Sequence, residues 1–180
     1  MIFRKATKND IDTIEEIYSD VIACEEKGLS TIGWIRGVYP TRKTAEDSLL
    51  CDDLFVVEED AAVVGAAIIN KRQVDEYKQA KWRYEAPDDE IMVLHTLVIS
   101  PKVSGRGYGK KFVLFYEQYA LSQGCPYLRM DTNEKNIRAR AMYKKLGFEE
   151  IGIVPCDFNG IPGIGLVLFE KKLNYDENKL

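Results

Sequence analysis

Three alternating glycines, Gly105, Gly107 and Gly109, interleave with Arg106 and Tyr108 and run straight into Lys110 and Lys111. Removing every second Cβ lets the backbone take positive φ and lets a ligand approach the N–H groups closely. The apolar run before the loop stops at Pro101 and an amphipathic segment follows it, so the loop joins a strand to a helix N-terminus. A helix start carries unpaired N–H donors and the positive end of the macrodipole, and both favour an anion. With Arg106, Lys110 and Lys111 alongside, these residues suit the holding of a pyrophosphate. A glycine-rich turn that merely connects two elements would use the same residues.

Counting excludes two other phosphate loops. A P-loop reads G-x-x-x-x-G-K-S/T, but Ser104 stands five before Gly109 and Lys111 replaces the hydroxyl residue. A dinucleotide fingerprint needs a glycine or alanine three after Gly107, where Lys110 stands.

A second block runs from Asn136 to Phe148 and reads NIRARAMYKKLGF, a helix closed by a glycine and an apolar residue. Together with Ser104 to Gly109 it resembles the GNAT superfamily of N-acetyltransferases, whose loop reads Q/R-x-x-G-x-G/A and whose later helix reads N-x-x-A-x-x-x-Y-x-x-x-G-F. Asn136, Ala139, Tyr143, Gly147 and Phe148 fall in register. Ser104 departs from the pattern: it keeps a hydroxyl but lacks the reach of the usual Gln or Arg.

The resemblance implies acetyl-CoA as cofactor and direct transfer of its acetyl group to a primary amine of a small molecule or peptide. It assigns the cofactor to Ser104, Gly105, Arg106, Gly107, Tyr108, Gly109 and Lys110, to Asn136 and Tyr143, and to the strand Leu97, Val98 and Ile99, whose backbone also supplies oxyanion donors. Arg138 and Arg140 are further phosphate partners. Asn136 equally suits an ordinary N-cap. Tyr143 is the implied acid, since a phenol of pKa about 10 can protonate a departing thiolate. His95, six before Pro101, stands where arylalkylamine members of the family carry a proton-removing histidine, and its ordinary pKa of about 6.5 suits that work. A hydrogen-bonded core histidine is the competing reading, and Glu90 is a weaker base. The runner-up function is a CoA-binding regulatory module that has lost turnover. Cys125 has no paired base in sequence, so a covalent thiol route is poorly supported.

The elements that must position these groups follow from periodicity. Phe3 to Ala6 reads as a first strand. Thr7 to Asp10 opens a helix with apolar residues at Ile11, Ile14, Ile17, Val21 and Ile22, ending at Gly28. Thr41 starts a short helix through Leu50, and Leu54–Glu58 with Ala62–Asn70 reads as a hairpin. Residues 71–90 are polar and charged, a lid or a loose insertion. Ile91–Ile99 is a central strand, in which alternation puts His95, Leu97 and Ile99 on one face and Leu94, Thr96 and Val98 on the other. A helix to Gly124, a strand Tyr127–Met130, a turn at Asp131–Asn133 and the Asn136 helix imply a right-handed parallel crossover. Glu149–Val154 and Ile164–Glu170 close the chain as an antiparallel pair. The order resembles the GNAT fold, an α/β (α+β) architecture with a mixed sheet of six or seven strands and splayed fourth and fifth strands. One domain is expected over residues 1–173, with a polar tail over 174–180.

Composition narrows the partners. The chain has 180 residues, 46% hydrophobic and 30% charged, with a net charge of −4. The negative balance argues against nucleic acid, and the absence of a long apolar run argues against a membrane span. The first residues lack a signal-peptide core, so a cytoplasmic protein is expected. Four scattered cysteines and one histidine fit no usual metal-ligand spacing, so no metal is expected. For the acceptor, Trp34, Tyr39, Trp82 and Tyr84 can form an aromatic wall, with Glu85, Asp88, Asp89 and Glu90 to attract a cationic amine; core and solvated-loop roles account for the same residues. Polyamines, aryl amines, aminoglycosides, amino acids and protein amines all remain open, as does O-acetylation. The resemblance also allows a homodimer.

Overall fold

A computed structural model describes residues 1–174; the rest of the predicted polar tail lies outside the described residues. β1 (Ile2–Lys5), β2 (Leu54–Glu59), β3 (Ala62–Asn70) and β4 (Ile91–Ile99) form an antiparallel run. β5 (Tyr127–Asn133) adds in parallel to β4, and the hairpin β6 (Glu149–Phe158) and β7 (Ile161–Lys172) docks with β7 against β5. The sheet has seven strands in the order β1-β2-β3-β4-β5-β7-β6. This is the GNAT-like architecture expected.

Four helices cover it. α1 (Ile11–Glu26) follows a 3-10 turn in which the Asp10 carboxylate accepts from the Thr7 N–H at 2.7 Å, and its buried stripe of Ile11, Ile14, Ile17, Tyr18, Val21 and Ile22 lies with α2 (Arg42–Leu50) on one face. α3 (Tyr108–Ser122) and α4 (Ile137–Lys145) lie on the other, where Phe112, Val113, Tyr116 and Ala120 are buried. Burying each of the larger of these side chains contributes roughly 1.5–3 kcal/mol. Tyr116 also donates from its hydroxyl to Met92 O at 2.6 Å or Arg129 O at 3.1 Å, so one buried phenol ties β4 to β5.

Residues 71–90 are not a loose insertion. Two 3-10 turns, Asp75–Gln79 and Asp88–Glu90, fold the segment onto the sheet, where Tyr77 packs with Ile91, Val93, Val154, Leu166 and Leu168. β5 runs three residues beyond its expected end because Asp131, Thr132 and Asn133 pair with Leu168, Val167 and Leu166 of β7. Asp, Thr and Asn are turn residues by local preference, and a long-range ladder overrides that preference. The closing hairpin is longer too, since Asn159 and Gly160, at φ 52° and 77°, make its two-residue turn.

The feature that matters most is where β4 and β5 part. Their parallel pairing runs from Ile91↔Tyr127 to Leu94↔Met130 and stops. Beyond it β4 stays with β3, while β5 stays with β7. The sheet is therefore split by a wedge bounded by His95–Ile99 and Asp131–Asn133.

Candidate active site

A cavity of about 580 Å³ passes through this wedge, lined on one side of the sheet by the glycine loop and α4, and on the other by the α1–α2 connection and the β6–β7 hairpin. On the loop side Gly105 and Gly107 have φ of 84° and 79°, and Gly107 is the N-cap of α3. A Cβ at either would meet nothing within 4 Å, so the demand there is conformational and the surrounding space is open to a ligand. Gly109 differs: it sits inside the first helical turn, where a Cβ would lie 3.5 Å from Met142 Sδ, in ordinary contact between α3 and α4. Tyr108 borders the cavity and is buried in the α3 core.

The cations sort into two groups. Lys102 is held by Glu16 and Asp20, and Arg140 by Glu150. Arg106, Lys110, Lys111 and Arg138 have no carboxylate partner among the described residues; Lys110 and Arg138 line the cavity, and Arg106 stands exposed outside its lining. Arg138 donates from Nη1 to Ser104 Oγ at 3.2 Å. A guanidinium on α4 thus comes to the loop position where this chain lacks the long polar side chain of the motif.

Asn136 is the N-cap of α4: its Oδ1 accepts from the Ala139 N–H and its Nδ2 donates to Thr132 Oγ1, both at 3.2 Å. Tyr143 lies one helical face on, packed against Phe148 and Phe169 and 6% exposed. Its hydroxyl makes no hydrogen bond among the described residues, and burial pushes its pKa well up, so it stands in the cavity wall as a neutral donor.

β4 carries an irregularity that separates His95 from Leu97 and Ile99, with which strict alternation would group it. β3 advances from Ala66 to Ile68 while β4 advances from Val98 back to His95, so β4 holds one extra residue, and Thr96 takes φ 51°. This bulge puts His95 and Val98 on the α1 face and Leu97 and Ile99 on the α3 face. Strict alternation fails because one residue was inserted. Leu97 and Ile99 line the cavity, whereas the Val98 side chain is buried against the α1 core. A β-branched residue in the left-handed region costs on the order of 1–2 kcal/mol, and Thr96 Oγ1 bonds the Tyr39 hydroxyl there.

His95 also has partners that sequence did not reveal. Nε2 is 3.1 Å from both Asn70 Oδ1 and Arg72 O. Asn70 Nδ2 donates to Asp53 and Oδ1 accepts from the Arg72 N–H, so Nε2 meets two acceptors and must carry the hydrogen. Desolvation pushes the His95 pKa down to about 4. The ring is neutral and anchored at physiological pH.

On the far side of the wedge Trp34 and Tyr39 join the wall, together with Phe158, Ile164 and Leu166. Trp82 and Tyr84 do not. They belong to the packed 71–90 segment and border a separate hollow, with Arg129 4.0 Å above the Trp82 ring and the Trp82 Nε1 donating to Tyr77 O. Asp131 does line the cavity; its Oδ2 accepts from the Tyr77 hydroxyl at 2.8 Å, and desolvation pushes its pKa up to about 7.

Comparison with known proteins agrees with this geometry. The family model described as the acetyltransferase (GNAT) family matches residues 14–148. The chain belongs to the GNAT acetyltransferase family. Acetyl-CoA is the cofactor the family uses. Among GNAT relatives, an uncharacterized N-acetyltransferase of Methanocaldococcus jannaschii is 24% identical over 84% of this chain, which spans 62% of that protein's length. A streptothricin acetyltransferase of Escherichia coli is 27% identical over 78% of this chain and 71% of its own. A GNAT-family structure from Streptococcus agalactiae superposes with a TM-score of 0.82 at 25% identity, covering 96% of this chain and 95% of that one. YncA of Salmonella typhimurium, solved with acetyl-CoA, shares the fold at a TM-score of 0.69 and 19% identity, over 97% and 94% of the two chains.

Three features of this candidate site escaped sequence reasoning. The Thr96 bulge leaves no mark on an apolar strand, the Arg138–Ser104 contact joins residues of separate elements, and Asp131 reads locally as a turn residue.

Proposed function

We propose that the protein is an acetyl-CoA-dependent N-acetyltransferase that passes the acetyl group directly to a primary amine of a small molecule or peptide. The observation that carries this reading is the wedge between β4 and β5, a sheet interior whose backbone groups are left open between a cation-rich glycine loop and the Tyr143 hydroxyl.

The residues fit the cofactor part by part. The N–H groups at the start of α3, with Lys110 and Arg138, suit the diphosphate; Arg106 and Lys111 add charge at the rim. The edge of β4 from His95 to Ile99 has no β5 partner, so its amides are free to pair with the pantetheine arm. When bound, acetyl-CoA supplies an activated thioester. The bulge at Thr96 and Leu97 takes backbone groups out of the β3 ladder as well, and these N–H groups are the donors for charge developing on the carbonyl oxygen. Tyr143 protonates the departing sulfur, a role its free hydroxyl allows. His95 holds the bulged strand through Asn70 and Arg72, and its lowered pKa makes it a weak proton acceptor.

A CoA-binding sensor would need the loop and the open strand, but not an unbonded phenol beside them, so Tyr143 favours the enzyme. The four free thiols suit a reducing compartment, and we place the protein in the cytoplasm. Among the described residues no helix is long and apolar enough to cross a membrane. Calorimetry with acetyl-CoA, followed by thiol release across a panel of amines, tests the reading. Binding with release for one amine class is the expected result, and no binding overturns it.

A further inference from the structure

We propose that Asp131 is the catalytic residue that binds the acceptor's ammonium group and takes its proton, so that the preferred acceptor is a primary alkylamine on a compact apolar body. The inference rests on the acetyltransferase reading above.

Asp131 stands one residue past the last β4–β5 pair, at the point where the wedge opens. Leu128 and Met130 face the α3 core, so alternation turns Asp131 to the opposite side, toward Tyr77, Trp34 and Tyr39. Its Oδ2 is occupied by the Tyr77 hydroxyl; Oδ1 has no hydrogen-bond partner among the described residues.

The other low-exposure carboxylates are compensated. Asp10 is paired with Arg4 at 2.8 Å and bonded to Thr7, and Arg4 holds its pKa down to about 2. Glu170 accepts from the Arg83 N–H, with Arg129 near. Asp131 has no cation within ion-pair distance among the described residues. The groups that act on it are Glu76 and Tyr77 from the 71–90 segment, Tyr39 from the α1–α2 connection, Tyr143 from α4 and Cys156 from β6. His95, across the wedge, is neutral. None of these is positively charged. A half-buried carboxylate that is unpaired and lines a cavity is complementary to a cation that arrives with the ligand.

The walls define the rest of the acceptor. Trp34, Tyr39, Phe158, Ile164 and Leu166 present rings and aliphatic side chains around the carboxylate. The same cavity must also admit the end of the cofactor, which leaves room for a compact body only. One N–H bond of the ammonium breaks, its electron pair stays on nitrogen, and the proton forms an O–H bond at Oδ1; that pair would form the C–N bond as the C–S bond breaks, and a second N–H proton would replace the one that Tyr143 gives to sulfur. The carboxyl then releases that proton to solvent after turnover. Desolvation raises the Asp131 pKa to about 7, much nearer an amine than an ordinary aspartate stands, which eases the transfer.

The test uses wild type, Asp131→Asn and Tyr77→Phe, with phenethylamine as the cationic probe and aniline as the uncharged one. Acetyl-CoA affinity by calorimetry should stay within twofold of wild type in both variants. For phenethylamine, Asp131→Asn should lower kcat/KM about 100-fold and abolish a limb that rises through about pH 7, while aniline is affected far less. Tyr77→Phe removes a donor that favours the carboxylate, so the limb should move to higher pH. Thermal melts give a readout independent of turnover. The folded-state pKa is raised above the unfolded value, so wild type loses stability as pH climbs from about 4 to about 7; Asp131→Asn should gain on wild type over that window. An Asp131→Asn protein that melts cooperatively, keeps kcat/KM within twofold and retains the limb overturns the proposal. So does a wild type that binds acetyl-CoA but releases thiol with no primary alkylamine. Failure to bind acetyl-CoA strikes instead at the function beneath it.

Discussion

On the glycine-loop side of the wedge the cavity is built from helix-start N–H groups, two glycines at positive φ, and the unpaired cations Lys110 and Arg138. On the other side it is built from rings, aliphatic side chains and one carboxylate without a cation. The first half is made largely of backbone with cations beside it; the second is a side-chain chamber in which Arg72 is paired with Asp53 and Asp131 has no cation partner among the described residues. On the function proposed above, the contrast teaches that one cavity can sort two ligands by charge before any chemistry occurs: a polyphosphate would be drawn to the loop and an ammonium to Asp131.

The contrast can be broken at the cradle. Gly107→Val forces a β-branched residue to φ 79°, a strain of about 1–3 kcal/mol, and screens the first N–H groups of α3. We expect acetyl-CoA affinity to fall roughly 100-fold by calorimetry, with the amine side intact. Equal binding by wild type and variant would remove the loop from the cofactor site.

At the junction of the two halves, Tyr143→Phe removes the hydroxyl but keeps the packing against Phe148 and Phe169. Turnover should drop by about 10²-fold with acetyl-CoA affinity unchanged. A loss of affinity with turnover preserved would make Tyr143 a binding residue only. Arg138→Ala should be milder, weakening acetyl-CoA by about 1–2 kcal/mol and reducing the salt dependence of binding. An unchanged salt dependence would leave the loop amides and Lys110 as the whole of the cradle.

The smallest effect should come from His95→Gln. Because its folded pKa is held near 4, below the ordinary 6.5, His95 contributes stability that is present above about 6.5 and lost as pH falls toward 4. The variant should melt with a weaker loss over that window and leave the rate profile near neutrality in place. Asp131 acts with the opposite sign over much of the same range, so the two single variants separate contributions that partly cancel in wild type. A rate limb that disappears in His95→Gln would restore His95 as the base.

How much of this was legible beforehand differs between the halves. The cradle is local in sequence: Gly105, Gly107 and Lys110 are neighbours, and the Asn136, Ala139, Tyr143 and Gly147 spacing follows one helix, so motif and period reveal both. Trp34 and Tyr39 were found by their type, but Trp82 and Tyr84 have the same type and pack elsewhere. Nothing in composition distinguishes a ring that lines a cavity from one that covers a sheet.

The chain's order of strands and helices, its glycine loop at a helix start and the tyrosine of its second motif were determined by short-range pattern, because glycine placement and helical period act over a few residues. Which side of the sheet each strand residue faces was decided only in three dimensions. One extra residue at Thr96 puts His95 on the opposite side of the sheet from Leu97 and Ile99, and pairing with β7 turns the expected Asp131 turn into a wall of the wedge. Both follow from ladders between residues far apart in the chain, whose free energy outweighs the local preference of Thr, Asp and Asn.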